Sequence, residues 1–275
     1  MSFENPFSLA GKTAIVTGGG GLIGRAIAKG MAGQGADVVV VDINGRAAAA
    51  VADELDSAGT KAYAITGDVS TPEGVTDVVD QAVAAVGDIN VLVNNAGRGS
   101  HNFPEDISYE EWSAVFQLDL TGYFLMAQAI GRHMLERNIA GAIVMTSSTC
   151  GHVAMGRGNF AFSIAKAGVN QLVRELALEW GFAGIRVNAI APCQVEAPSM
   201  DALLAQSDPS GTDLRQRVLS GIPLGRLARA EDMAGPAVFL ASDAAAMVTG
   251  TVLAVDGGNL ASNAASSIRH PVSGR

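Results

Sequence analysis

Thr146, Ser147 and Ser148 close an apolar run, Ala142 to Met145. A Gly-broken loop follows, and Lys166 stands on a helix that starts at about Phe160. Hydroxyls at the carboxyl end of a buried strand, facing a lysine on the next helix, sit where open α/β sheets hold ligands. A second cluster lies near the start of the chain. Thr13 to Val16 is a short β-branched strand, and Thr17-Gly-Gly-Gly-Gly-Leu-Ile-Gly24 opens an Ala-rich helix to about Gln34. Glycines in such a turn permit a tight reversal and let the backbone approach a pyrophosphate, which the helix N-terminus attracts. The next strand, Val38 to Val41, is fully apolar, as parallel strands buried on both faces are, and it ends in Asp42. A carboxylate there can accept both adenosine ribose hydroxyls and repels a 2′-phosphate, which selects NAD over NADP. Its bland alternative is an N-cap for the helix that is under way by Arg46.

The elements that position these residues alternate along the whole chain. Lys61 to Thr66 reads as a third strand before Gly67-Asp68-Val69, and Pro72 to about Val86 as a helix. The strand Ile89 to Val93 leads into Asn94-Asn95-Ala96-Gly97, and Trp112 to about Asn138 is a long helix with apolar residues at helical spacing. A helix around Asp232 to Ala241 and a strand ending near Val255 complete the series. The expected fold is α/β, a parallel doubly wound sheet of Rossmann type with right-handed crossovers. It forms a single domain over residues 1–258, with a small, polar tail at 259–275. The stretch Glu196 to Pro223 reads as polar and irregular, with Asp208-Pro209-Ser210-Gly211 as a loop signal, and is a candidate substrate lid.

Composition removes several function classes. With 275 residues, 48% of them apolar, the chain is long enough for one large core. The net charge of -9 argues against nucleic acid. No apolar run reaches the roughly 20 residues of a membrane span. The start, MSFENPFSLAGK, lacks the basic flank and apolar core of a signal peptide, so a cytosolic location is expected. Cys150 and Cys193 are too few for a disulfide framework or a metal cluster, and the four histidines show no ligand spacing. No metal is expected.

Several of these segments, in order, resemble the short-chain dehydrogenase/reductase family over roughly Leu9 to Gly258. They are the Gly-rich turn, Asn94-Asn95-Ala96-Gly97, Leu118-Asp119-Leu120-Thr121-Gly122, Ser148 with Lys166, Ile185 to Pro192, and Val248 to Gly258. The resemblance implies NAD as cofactor, held by Gly18, Gly21, Leu22, Ile23, Gly24, Asp42, Asp68, Val69, Asn94, Ala96, Gly97, Lys166, Pro192 and Val195. Asp68 and Val69 would border the adenine, and Asn94 would tie the central sheet together. It also implies a homotetramer and a reaction on a secondary alcohol or ketone. Ser148 would steady the substrate oxygen, joined in the pocket by His152 and Gln194. His101, Asn102 and Met155 would complete a lining that suits a polar or sugar-like polyol as easily as a ring ketone.

The sequence departs from the family pattern where the chemistry is concentrated. The family's catalytic tyrosine, four residues before the lysine, is Phe162 here. Its lysine lowers the phenol pKa and holds the nicotinamide ribose, and its asparagine, Asp119 here, helps hold a water beside that lysine. Leu22 replaces the middle glycine of the turn, and Cys193 and Ala197 replace a Gly and a Thr. Phe162 keeps the ring without its titratable group. Three readings of this are open: a Tyr-to-Phe replacement introduced to trap a substrate complex; a natural member whose proton comes from Ser148, a water on Lys166, Asp119 or His152; or a non-catalytic NAD-binding or scaffold protein. NAD-dependent oxidoreductase is the working class.

Overall fold

The computed structural model describes residues 5–100, 102–156, 158–205 and 213–262. Seven strands form one all-parallel sheet: β1 Thr13–Thr17, β2 Asp37–Asp42, β3 Ala62–Thr66, β4 Val91–Asn94, β5 Ala142–Thr146, β6 Arg186–Pro192 and β7 Val252–Val255. Their spatial order is β3-β2-β1-β4-β5-β6-β7, the doubly wound arrangement expected from the alternation of elements. The order in which strands are added reverses between β1 and β4, so the loops after these two strands diverge and leave a crevice at their carboxyl ends.

Helices cover both faces. On one side, α1 (Leu22–Gly33) and α2 (Gly45–Ser57) bury Ile27, Met31, Val51 and Leu55 beside β1 and β2, and α9 (Ala234–Ala241) buries Leu240 beside β5 and β6. On the other, α3 (Pro72–Val86) buries Val78 beside β3, while α5 (Tyr123–Arg137) and α6 (Phe160–Trp180) bury Met126, Ile130 and Val173 beside β4 and β6. Burial on both faces is why β1, β4 and β5 are apolar along their length rather than alternating.

Two segments differ from the sequence-based expectation. The long helix starts at Tyr109, not Trp112, because Ser108 caps it through Glu111 N and Glu110 and Glu111 favour its positive end. It is also interrupted. After α4 (Tyr109–Phe116) the chain makes a wide π-helical turn over Gln117–Gly122 before α5 resumes, a break that apolar periodicity does not reveal. The polar stretch from Glu196 to Pro223 is not irregular throughout. It holds two short helices, α7 (Pro198–Leu204) and α8 (Leu214–Ser220, capped by Asp213), which pack Leu204, Val218 and Ile222 into a small apolar cluster with Leu227. The loop signal at Asp208 to Gly211 lies outside the described residues. No helix among the described residues is long and apolar enough to cross a membrane.

Candidate active site

The first half of the cleft is built by the turn between β1 and α1. Gly18 takes a left-handed conformation, φ +61°, and a Cβ there would come within 2.8 Å of the Ala96 Cα. Gly24 packs so closely that a Cβ would collide with the Gly18 carbonyl, which fixes α1 against the turn. Leu22 at the family's middle-glycine position costs no fit, since its side chain is half exposed at the cavity edge. The N-terminus of α1 has no side-chain cap and no acidic residue in its first turn. Its free N–H groups are therefore left for an anion.

A cavity of about 400 Å³ opens in front of this turn, lined by Gly18, Gly21, Leu22, Ile23, Asp42, Asp68, Val69, Ala96, Gly97 and Val195. Ten of the expected cofactor residues thus meet in one place. The N-cap alternative for Asp42 fails: α2 begins at Gly45 and is capped by Asn44, whose side chain accepts from Ala47 N. Asp42 instead accepts from Gly20 N at 3.0 Å and Asn44 N at 2.9 Å, which aims the carboxylate while leaving it acceptor capacity. A nucleotide cofactor fits these residues on three counts: an uncapped helix end, a turn with no room for side chains, and an oriented carboxylate one strand away.

Gly24 and Asn94 are not on the cavity surface. Gly24 is the packing residue just described, and Asn94, 1% exposed, donates to the Tyr123 carbonyl at 2.9 Å. Its task is to join β4 to the start of α5. Lys166 and Pro192 border the neighbouring cavity instead.

That second cavity, about 350 Å³, shares Ile23, Asn95, Gly97, Val195 and Ala197 with the first, so the two form one cleft. Ser148, Phe162, Lys166, Asp119 and Gln194 all line it, with Arg98, Cys150, Met155, Asn159 and Cys193. Met200 and Val218, from α7 and α8, also line it. Ser148 sits at the turn after β5, where its Oγ accepts from Cys150 N at 3.2 Å. Ser147 points inward to Asn170, which in turn donates to the Gly151 carbonyl and holds the serine loop onto α6. His152 is exposed and does not line the cavity, because the short helical turn Thr149–Gly151 carries it outward. His101 lies outside the described residues.

Lys166 is a buried charge held by neighbours from several elements. Its Nζ donates to the Thr146 carbonyl at 2.9 Å and to the Tyr123 hydroxyl at 3.1 Å, and lies 3.2 Å from Asp119 Oδ1. Asp119 Oδ2 accepts from Arg98 N at 3.0 Å, while its Oδ1 has no well-aligned hydrogen bond despite the nearby ammonium. Burial pushes the Asp119 carboxyl above its ordinary range, and the Lys166 charge only partly opposes this. For Lys166, burial works against the charge, but Tyr123 and Asp119 outweigh it and keep the ammonium. Phe162, half-buried, places its ring centroid 5.5 Å from Nζ. A Cβ on Gly97 would fall 2.7 Å from Asp119 Oδ1, so glycine is required there for the carboxylate to reach the lysine.

The sequence singled out neither Tyr123 nor Arg98. Tyr123 stands four residues after Asp119, a spacing that puts two side chains on one helix face, and this was the available signal.

The fold is a doubly wound α/β sheet, and its cleft brings a hydroxyl, a lysine and a carboxylate, Ser148, Lys166 and Asp119, to one cavity. A family model described as enoyl-(acyl carrier protein) reductase matches residues 21–259. The chain is 39% identical to a D-threitol dehydrogenase from Mycolicibacterium smegmatis over 94% of this chain and 96% of that protein. It is 40% identical to a cis-4-hydroxycyclohexanecarboxylate dehydrogenase from Sinomonas cyclohexanicum, over 91% and 97%. The crystal structure of a gluconate 5-dehydrogenase from Burkholderia cenocepacia, in complex with NADP and tartrate, superimposes with a TM-score of 0.87 at 31% identity, covering 94% of this chain and 98% of that one. The chain belongs to the short-chain dehydrogenase/reductase family, a family of oxidoreductases.

Proposed function

We propose that the chain is an NAD(H)-dependent oxidoreductase acting on a secondary alcohol or ketone, with a sugar-like polyol as the favoured substrate class. The observation that carries this reading is the single cleft in which the Asp42 end of the cofactor cavity runs into the cavity lined by Ser148, Asp119 and Lys166. A bound nicotinamide would supply the hydride acceptor for alcohol oxidation. Ser148, which lines the cavity, would hold the substrate oxygen. Asp119 is the one carboxylate among the described residues lining the substrate cavity, and it is the group available to take the alcohol proton, directly or through water. Because its pKa is raised, the native rate should fall as pH drops through a point above the usual carboxylate range. Phe162 is read as standing where the family's phenol stands, so this route is slower than the family's own.

Polyols are favoured by the names of the relatives, a threitol dehydrogenase and a galactitol 2-dehydrogenase among them. NAD over NADP is favoured by Asp42, although relatives use both: an L-rhamnose 1-dehydrogenase from Sphingomonas is named for NAD(P). Isothermal titration with the two cofactors tests this. NAD is expected to bind more tightly, and Asp42→Ala to weaken NAD by roughly 10–100-fold, the loss of one or two hydrogen bonds to a charged acceptor. Equal affinities in the native protein would refute the assignment.

We also infer a homotetramer, from apolar residues left exposed on the outward faces of α5 and α6, including Phe124, Ile164 and Leu178. Light scattering giving a monomer mass at micromolar concentration would refute it. A non-catalytic NAD-binding or scaffold protein is the second reading, and Phe162 is the observation that favours it.

A further inference from the structure

We propose that Tyr123 is a positioning residue for Lys166, its hydroxyl holding the lysine ammonium at the cavity wall in a chain whose residue 162 offers none. The use to which the lysine is put rests on the oxidoreductase reading above. The contacts themselves do not.

An ammonium has three N–H donors and needs three acceptors when buried. Lys166, 3% exposed, has two of them, the Tyr123 hydroxyl at 3.1 Å and the Thr146 carbonyl at 2.9 Å, with the Asp119 carboxylate 3.2 Å away as counter-charge. These come from three different elements: α5, β5 and the π-helical turn. From its own helix it faces only the Phe162 ring, and the next charge outward is Arg98, itself paired with Glu111 at 2.8 Å. The Tyr123 ring adds a favourable surface, its centroid 4.3 Å from Nζ.

Tyr123 is itself fixed. Its hydroxyl donates to the Thr146 carbonyl at 3.1 Å, its own carbonyl accepts from Asn94, and it is 2% exposed. Burial raises its phenol pKa, so the group stays protonated and accepts from Nζ while donating to Thr146. The phenol does not border the substrate cavity, so it cannot exchange a proton with substrate. It acts through the lysine.

The chain has only four lysines, so side-chain ammonium NMR on lysine-labelled protein can resolve each, with Lys12, Lys29 and Lys61 assigned by replacement with arginine. The Lys166 ammonium is expected to exchange protons at least roughly tenfold more slowly than the other three. Tyr123→Phe keeps the ring and should speed that exchange several-fold and lower the Lys166 titration midpoint. Unchanged exchange and titration in Tyr123→Phe would overturn the proposal. So would a native Lys166 signal that exchanges like a surface lysine, a result readable even if the variant does not fold. In kinetics, Tyr123→Phe and Phe162→Tyr should be non-additive in kcat, because both phenols draw on one ammonium, and strict additivity would count against it. Absence of any NAD-linked turnover would sink the oxidoreductase reading and leave the NMR test standing.

Discussion

Phe162→Tyr is expected to raise kcat by roughly 10²–10⁴-fold on an accepted alcohol, the span typical of one positioned general acid–base group. The substitution adds a single hydroxyl to a half-buried ring that already lines the substrate cavity, so packing should be preserved. The ring centroid lies 5.5 Å from Lys166 Nζ, close enough for a para hydroxyl to feel the ammonium, which would lower the phenol pKa toward working pH. NAD affinity should barely change, since Phe162 does not line the cofactor cavity. Steady-state kinetics with the Kd measured in parallel checks both parts. A gain in kcat with an unchanged Kd separates restored chemistry from improved binding. No gain, with measurable native turnover, would mean that the native proton route is already efficient.

Asp119→Ala is expected to destabilise the protein by about 3–5 kcal/mol, the usual cost of removing one partner from a buried ion pair. Asp119 is fully buried and Lys166 3% exposed, so the ammonium left behind would have lost its counter-charge. Arg98 N would lose its acceptor as well. Asp119→Asn keeps an acceptor for Arg98 N and a side chain of the same size, and should cost clearly less. Urea unfolding of the two variants measures the difference. Equal and small losses would show that the pair contributes little. Whatever alcohol oxidation the native chain performs should fall with both variants, because neither retains the carboxylate.

Much of this was legible in the sequence, for identifiable reasons. Strands buried on both faces carry no alternation, and their unbroken apolar runs located β1, β2, β4 and β5 to within a residue or two. The Gly-rich turn and Asp42 could be read because turn chemistry and distance along the chain are local properties. The parts that were missed depend on tertiary contacts. The wide turn at Gln117–Gly122 leaves the apolar pattern almost undisturbed, yet it presents both Asp119 and Tyr123 to Lys166. Tyr123 reads as one more large apolar residue on a helix, and only the approach of α5 to β5 and α6 reveals its hydroxyl as a lysine acceptor. His152 was placed in the pocket by its nearness to Ser148, and a single short turn carried it out. The helices α7 and α8 escaped notice because each is seven residues long, too short for a periodic pattern to emerge.

The proposed activity is tested most directly by following NADH formation from NAD with the native and Phe162→Tyr proteins across tetritols, hexitols, sugar acids and simple secondary alcohols. The expected result is turnover of at least one polyol, slow in the native chain and roughly 10²–10⁴-fold faster in Phe162→Tyr. No NADH from either protein with any alcohol, under conditions where NAD is bound, would contradict it and make the chain a nucleotide-binding protein without the family's reaction.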